Sequence, residues 1–201
     1  RDYDDVFSSS GGFQDFFESF KGKKKSRQTT LKDINVDISI GLEDVYCGKE
    51  IHLDVKGEPL KFKLLPGAYD GLKLKFTGKG NKPLMTEPGD LYVRIKVNKH
   101  SHYVYSKLDL YFEKEVNLYT MVLGGNVVIE HLDKSKINVQ IPAESPNGKI
   151  LRLKGLGITD YKNQGLKGDL YVILKVILPA GLSEAEKKLY KSLRELSSNH
   201  K

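Results

Sequence analysis

A single cysteine, Cys47, no tryptophan and only two methionines occur in this chain of 201 residues. One thiol has no intrachain disulfide partner and supplies too few thiolates for a cysteine-based zinc site, so disulfide scaffolds and zinc ribbons are excluded and the chain reads as intracellular, in a cytoplasmic compartment. No run approaches the ~18 apolar residues that a membrane-spanning helix needs. Catalytic signatures are missing as well: there is no Gly-x-Ser-x-Gly elbow, no His-Glu-x-x-His and no Gly-x-x-x-x-Gly-Lys phosphate loop. Five histidines are present, at positions 52, 100, 102, 131 and 200. His100 and His102 would share one face of a strand, yet no carboxylate motif accompanies them as a metal site would require. No enzyme, cofactor or metal is expected.

What the chain has in excess is positive charge, a formal +7, distributed unevenly. Residues 1–20 hold one arginine against Asp2, Asp4, Asp5, Asp15 and Glu18, whereas Lys21, Lys23, Lys24, Lys25, Arg27 and Lys32 follow with no acid between them. A basic run of this kind reads first as a solvated linker and second as a contact for acidic partners or nucleic acid. The opening segment also carries Phe13, Phe16, Phe17 and Phe20, which fall on one helical face. They predict a short helix at about 13–20 that docks on an apolar surface. The chain opens on Arg1 rather than Met and reads as a piece of something longer.

Internal repetition sets the architecture. Asp33–Leu42 aligns with Asp109–Leu118 at an offset of 76, and Pro66 pairs with Pro142 at the same offset. Gly71, Gly78 and Gly80 pair with Gly148, Gly155 and Gly157 at 77, and Gly89-Asp90-Leu91-Tyr92-Val93 recurs as Gly168-Asp169-Leu170-Tyr171-Val172 at 79. Short alternating runs broken by Gly, Pro, Asn and Asp predict antiparallel, sandwich-like β-domains, not βαβ units. The Gly-x-Gly pairs lack the third glycine and the helix of a dinucleotide site. The expected fold is thus mainly β: two tandem homologous β-sandwich-like domains, 29–104 and 105–180, after a 1–28 linker. Beyond Pro179 the period changes. Ser183 and Glu186 fit a capping box, and Leu182, Ala185, Leu189, Leu193 and Leu196 form an apolar stripe, so 181–201 should hold one amphipathic helix. A helix that short is marginal alone. Its stripe must be buried, either on the second repeat or in a dimer contact.

These motifs in this order, twice, resemble the C-terminal substrate-binding half of DnaJ-type J-domain co-chaperones, and residues 1–28 resemble the end of that family's Gly/Phe-rich linker. The resemblance rests on Leu42-Glu43-Asp44-Val45-Tyr46-Cys47-Gly48, Leu65-Pro66-Gly67, Pro88-Gly89-Asp90-Leu91-Tyr92-Val93, His100-Ser101-His102-Tyr103 and their second-copy counterparts. No His-Pro-Asp tripeptide occurs, so the J-domain signature is not in this chain. The family's cysteine-rich zinc insert is missing too, with only Gly57-Glu58-Pro59 where the first repeat's hairpin could hold it. That pattern is similar to the zinc-free subclass represented by the curved-DNA-binding proteins.

The resemblance implies a homodimer, joined through Leu182, Leu189, Leu193 and Leu196, that holds unfolded client polypeptides for a DnaK-type chaperone. It places the client groove at Val36, Ile38, Leu53, Val55, Phe62 and Tyr103. Strand geometry is compatible with this, because Val36 and Ile38 share one face, as do Leu53 and Val55. The alternative for each residue is ordinary core. The alternative for the whole chain is a nucleic-acid-binding module using its basic surface.

Overall fold

The computed structural model describes residues 32–83 and 87–198, so the expected linker and its Phe-rich helix lie outside the described residues. Among the described residues, contacts define two units: the first takes 32–40, 51–62, 69–83 and 87–97, and the second takes 41–50, 63–68 and 98–198.

In the first unit, β1 (Ile34–Ile40), β4 (Lys73–Phe76) and β5 (Leu91–Val97) form a three-stranded sheet in the order β1-β5-β4. Here the structure departs from the expected antiparallel arrangement, because β1 and β5 pair in parallel, with Val36 opposite Val93 and Ile38 opposite Ile95. A parallel pair requires a long crossover, and the intervening elements supply it. Alternation predicts strands but not their partners, which is why this was hidden. Leu91, Val93 and Ile95 of the central strand are fully buried, each contributing about 1.5–3 kcal/mol of burial free energy. Strands β2 (Lys49–Val55) and β3 (Glu58–Leu64) form a two-stranded hairpin, whose residues 51–62 belong to this unit. Its turn, Lys56-Gly57, has φ of 56° and 84°, the doubly left-handed geometry of a two-residue hairpin. The hairpin that could have held a zinc insert is therefore closed by the tightest available turn.

The second unit repeats this plan. Strands β6 (Tyr103–Ser106), β7 (Asp109–Asn117), β10 (Ile150–Leu153) and β11 (Leu170–Ile177) form a sheet in the order β10-β11-β7-β6, with β7 and β11 again parallel, and β8 (Gly125–Glu130) pairs with β9 (Lys136–Ile141). Short helices at equivalent places, α1 (Leu42–Cys47) and α2 (Leu118–Leu123), both belong to this unit. Two expected boundaries move accordingly. Residues 98–104, assigned from sequence to the first domain, fall in the second because β6 pairs with β7. The 41–50 and 63–68 stretches also join it: Gly67 N–H donates to Val45 O at 2.7 Å, and Gln164 donates to Pro66 O at 3.0 Å.

The repeated Gly-Asp motif is structural in both copies. Asp33 and Asp109 each accept the N–H of the motif aspartate, Asp90 or Asp169, at 2.8 Å. Asp90 then accepts from Gly78 N–H at 3.0 Å and Lys75 at 2.8 Å, while Asp169 accepts from Gly155 N–H at 2.8 Å and from Arg152. The glycine before each aspartate is required by close approach, since a Cβ on Gly89 would overlap Lys32 O and one on Gly168 would overlap Leu108 O. The C-terminal helix α3 (Glu184–Ser198) is capped as its sequence predicts, Ser183 N–H donating to the Glu186 carboxylate at 2.8 Å.

Candidate functional site

Five of the six expected groove residues are half-buried in the first unit: Val36 and Ile38 on β1, Leu53 and Val55 on β2, and Phe62 on β3. Residues opposite each other in adjacent strands share a sheet face, so the parallel register puts Val36 and Ile38 on the face of the buried Val93 and Ile95. The alternate positions Asn35, Asp37 and Ser39 are exposed. On β2, Leu53 and Val55 alternate with exposed His52 and Asp54, and the Phe62 ring meets Phe76 at 4.9 Å and 50°. These side chains are part of the apolar interior on one flank and wet on the other. Full core residues would be dry, as Leu91 is.

Tyr103 does not belong to this strip. It lies on β6 in the second unit, only 5% exposed, with its hydroxyl donating to Glu130 O at 2.9 Å. Its ring stacks on Phe112 at 4.8 Å. Burial, then the charges of Asp133 and Glu130, pushes its phenol up to about 12. Its strand pairs into the second unit, whereas sequence order puts it at the end of the first repeat.

Sequence reasoning missed Ile34 and Leu60, which with Val55 form the apolar floor of an open cleft of about 460 Å³ at the end of the strip. Lys56, Lys79 and Lys82 stand at its rim. These charges are engaged locally: Lys82 and Lys79 flank Glu58 at 2.7 and 3.7 Å, and Lys56 donates to Asn81. Hydrogen bonding from Lys82 holds the Glu58 carboxyl below the usual range. On β1, Asp37 is similarly held down by a hydrogen bond from Lys96 at 2.6 Å. The signal that could have found the cleft is the repeat itself. Val36, Leu53, Val55 and Phe62 correspond to Phe112, Ile129, His131 and Val139, and of these Ile129, His131 and Val139 are fully buried.

The expected dimer residues lie differently. Leu189, Leu193 and Leu196 are 60–66% exposed on α3, and Leu182, just before the helix, is half-buried. One side-chain contact ties α3 down, Tyr190 to Tyr119 of α2 at 3.1 Å. His100 Nδ1 accepts the N–H groups of His102 and Tyr103 at 3.1 and 3.0 Å, and its Nε2 faces Glu43 at 3.3 Å. Among the described residues no three His, Cys, Asp or Glu converge to hold a metal, and no helix is long and apolar enough to cross a membrane.

The first unit thus carries a half-wet apolar strip beside the edge strand β1. Comparison with known proteins gives the family: residues 34–179 match the DnaJ C terminal domain, and the chain belongs to that family. It is 31% identical over 146 residues to Chaperone protein DnaJ of Bartonella quintana (strain Toulouse), covering 72% of this chain and 38% of that protein. It is 32% identical over 140 residues to Chaperone protein DnaJ of Brucella canis, covering 69% and 37%. The chain thus spans less than two-fifths of the length of these curated relatives.

Proposed function

We propose that this chain is the client-binding part of a co-chaperone, holding extended, unfolded polypeptide in the first repeat for delivery to a DnaK-type chaperone. The observation that carries the reading is the contrast between copies: Leu53, Val55 and Phe62 are half-wet where Ile129, His131 and Val139 are dry. The fold keeps an apolar strip partly open at the cost of about 1 kcal/mol per side chain left half exposed, which makes sense if a client covers it. The family supports the same reading, its relatives being named chaperones.

The exposed leucines of α3 support a homodimer formed through that helix. Two grooves on one client would raise avidity by about 10²–10⁴ over a single site. The rival use of the basic surface for nucleic acid draws less support, since Lys49, Lys75, Lys96, Arg152 and Lys187 each have an acidic partner. Suppression of aggregation of a denatured client, measured with Val36→Asp and Leu53→Asp chains, tests the proposal. A salt titration separates the two readings: binding through phosphates weakens steeply between 50 and 200 mM salt, whereas apolar burial does not. Client binding that survives both substitutions removes the groove.

A further inference from the structure

The four-stranded sheet of the second unit buries one face, where Leu110 and Val116 of β7 and Val172 and Leu174 of β11 are dry. Alternate positions form the outer face. Pairing across that face lines up Arg152, Tyr171, Tyr111 and Val104 in one row, and Ile150, Ile173 and Glu113 in the next. Val104 is 67% exposed and Ile150 57%. The Tyr111 and Tyr171 rings stack at 5.2 Å and 14°, and an open hollow of about 590 Å³ lies against Val104, Tyr111 and Ile173.

The fold does not require this surface to be apolar. In the first unit the same register places Lys75, Tyr92 and Asn35 in one row and Lys73, Arg94 and Asp37 in the next. Ile150, Ile173 and Tyr111 therefore stand where the sister copy has lysine, arginine and asparagine, all three exposed. Only the tyrosine, Tyr92 or Tyr171, is common to both. An apolar patch that an equivalent sheet builds from polar residues marks a surface that something covers.

The chain carries a segment of matching chemistry outside the described residues. Five of its eight phenylalanines precede Lys21; Phe13, Phe16, Phe17 and Phe20 share one helical face, with Asp15 and Glu18 on the other. Lys21, Lys23, Lys24 and Lys25 follow directly. On the sheet, Glu115 is opposite Lys175, but Glu113 at the hollow is opposite Ile173 and has no cation across that strand pair. Twelve peptide units join Phe20 to Lys32, a tether of up to about 40 Å, roughly three times the radius of gyration of a 100-residue domain. We propose that the outer face of the β10-β11-β7-β6 sheet is the docking surface for this chain's own residues 13–25. The four phenylalanine rings cover Val104, Tyr111, Ile150 and Ile173, and the lysines that follow lie toward Glu113. This does not rest on the client-binding reading, which concerns the first unit.

The test is nuclear magnetic resonance of the full isotope-labelled chain carrying a nitroxide at Ser106→Cys, two residues beyond Val104 on the same face, with Cys47→Ser removing the native thiol. Amide signals of residues 13–20 should lose most of their intensity and regain it when the nitroxide is reduced. Ile150→Lys combined with Ile173→Arg installs the first copy's own residues, which the sheet accepts at that register, and should restore the signals with the nitroxide intact. Replacing the four phenylalanines by serine leaves the sheet untouched and should shift the amide signals of Tyr111, Tyr171 and Ile173. Full intensity in the parent, broadening that survives the double substitution, or unshifted sheet signals in the serine chain would each overturn the inference. Mixing isotope-labelled chains without nitroxide and unlabelled chains with it should give no broadening; broadening there would assign the face to a second copy's segment and overturn docking within one chain. No arm reads client binding, so the groove assignment stands or falls separately.

Discussion

Substituting aspartate in the half-buried strip of the first repeat and at a fully buried site of the second separates a binding surface from a core. Val36 is half-buried on β1, with water on its outer flank. Full burial of a valine is worth roughly 1.5 kcal/mol at the low end, so losing half of it costs about 1 kcal/mol, and the new carboxylate can stay hydrated. Ile129 is 1% exposed. There the same change removes a fully packed side chain, costing about 2–5 kcal/mol, and leaves an ionisable group in a dry site at several kcal/mol more. A chain of this length shifts by about 2–4 °C per kcal/mol. Val36→Asp should therefore melt within a few degrees of the parent while losing most suppression of client aggregation. Ile129→Asp should lose its cooperative transition, since domain stabilities are only about 5–15 kcal/mol. Circular dichroism melts and light-scattering aggregation assays read both. A Val36→Asp chain as unstable as Ile129→Asp would mean that Val36 is core, and a stable Val36→Asp chain with parental activity would mean that no client touches it.

Removing everything from Leu182 onward should leave a folded monomer with weaker client holding; light scattering reads the mass, and a parent chain already monomeric at tens of micromolar rejects the dimer. Deleting residues 1–22 should raise client affinity if the Phe-rich segment competes for the groove, and unchanged affinity would show that it does not occupy the groove. His131, 4% exposed, sits between the rings of Tyr46 and Tyr103. Burial holds its pKa below 6.5, against the pull of Asp133 and of the Leu156 backbone and with a smaller push from Lys167. The unfolded chain therefore takes up the proton first, so its contribution to stability is complete above pH 6.5 and falls as the pH drops below it. The melting temperature should decline from pH 7 to pH 5.5 in the parent and less so in His131→Leu; equal slopes would refute this.

The repeat, the mainly β class and the capped helix were legible because each is a local pattern: alternation, glycine spacing, Ser183 three residues before Glu186. The half-buried positions of β1 and β2 were legible for the same reason, alternating with polar ones along each strand. What escaped was non-local. Nothing near Ile34 says that β1 pairs in parallel with a strand more than fifty residues away. The grouping of 41–50 and 63–68 with the second unit depends on contacts such as Gly67, where an added Cβ would overlap Thr159 O. Tyr103 looks in sequence like the tail of the first copy, while its partners in space are Phe112, Glu130 and His131. The Gly-x-Gly pairs carry no ligand chemistry; they let two backbones pass.

Duplication accounts for why one copy keeps an open apolar strip and the other need not. A sheet edge with an apolar flank is hazardous to leave uncovered, since it invites pairing with any extended chain. The second repeat removes the hazard with four residues of β6, a tyrosine on Phe112, and leucine and isoleucine where the first has lysine and asparagine. The first repeat keeps the same scaffold, down to the Asp33–Asp90 and Asp109–Asp169 hydrogen bonds, and changes the side chains around the opening. Its rim lysines are neutralised by Glu58 and capped by Asn81 instead of repelling one another, so the polar border costs little while it keeps the cleft from collapsing. Stability is thus concentrated in the repeated motifs that the two copies share, and the opening of the first copy arises at the few positions where they differ.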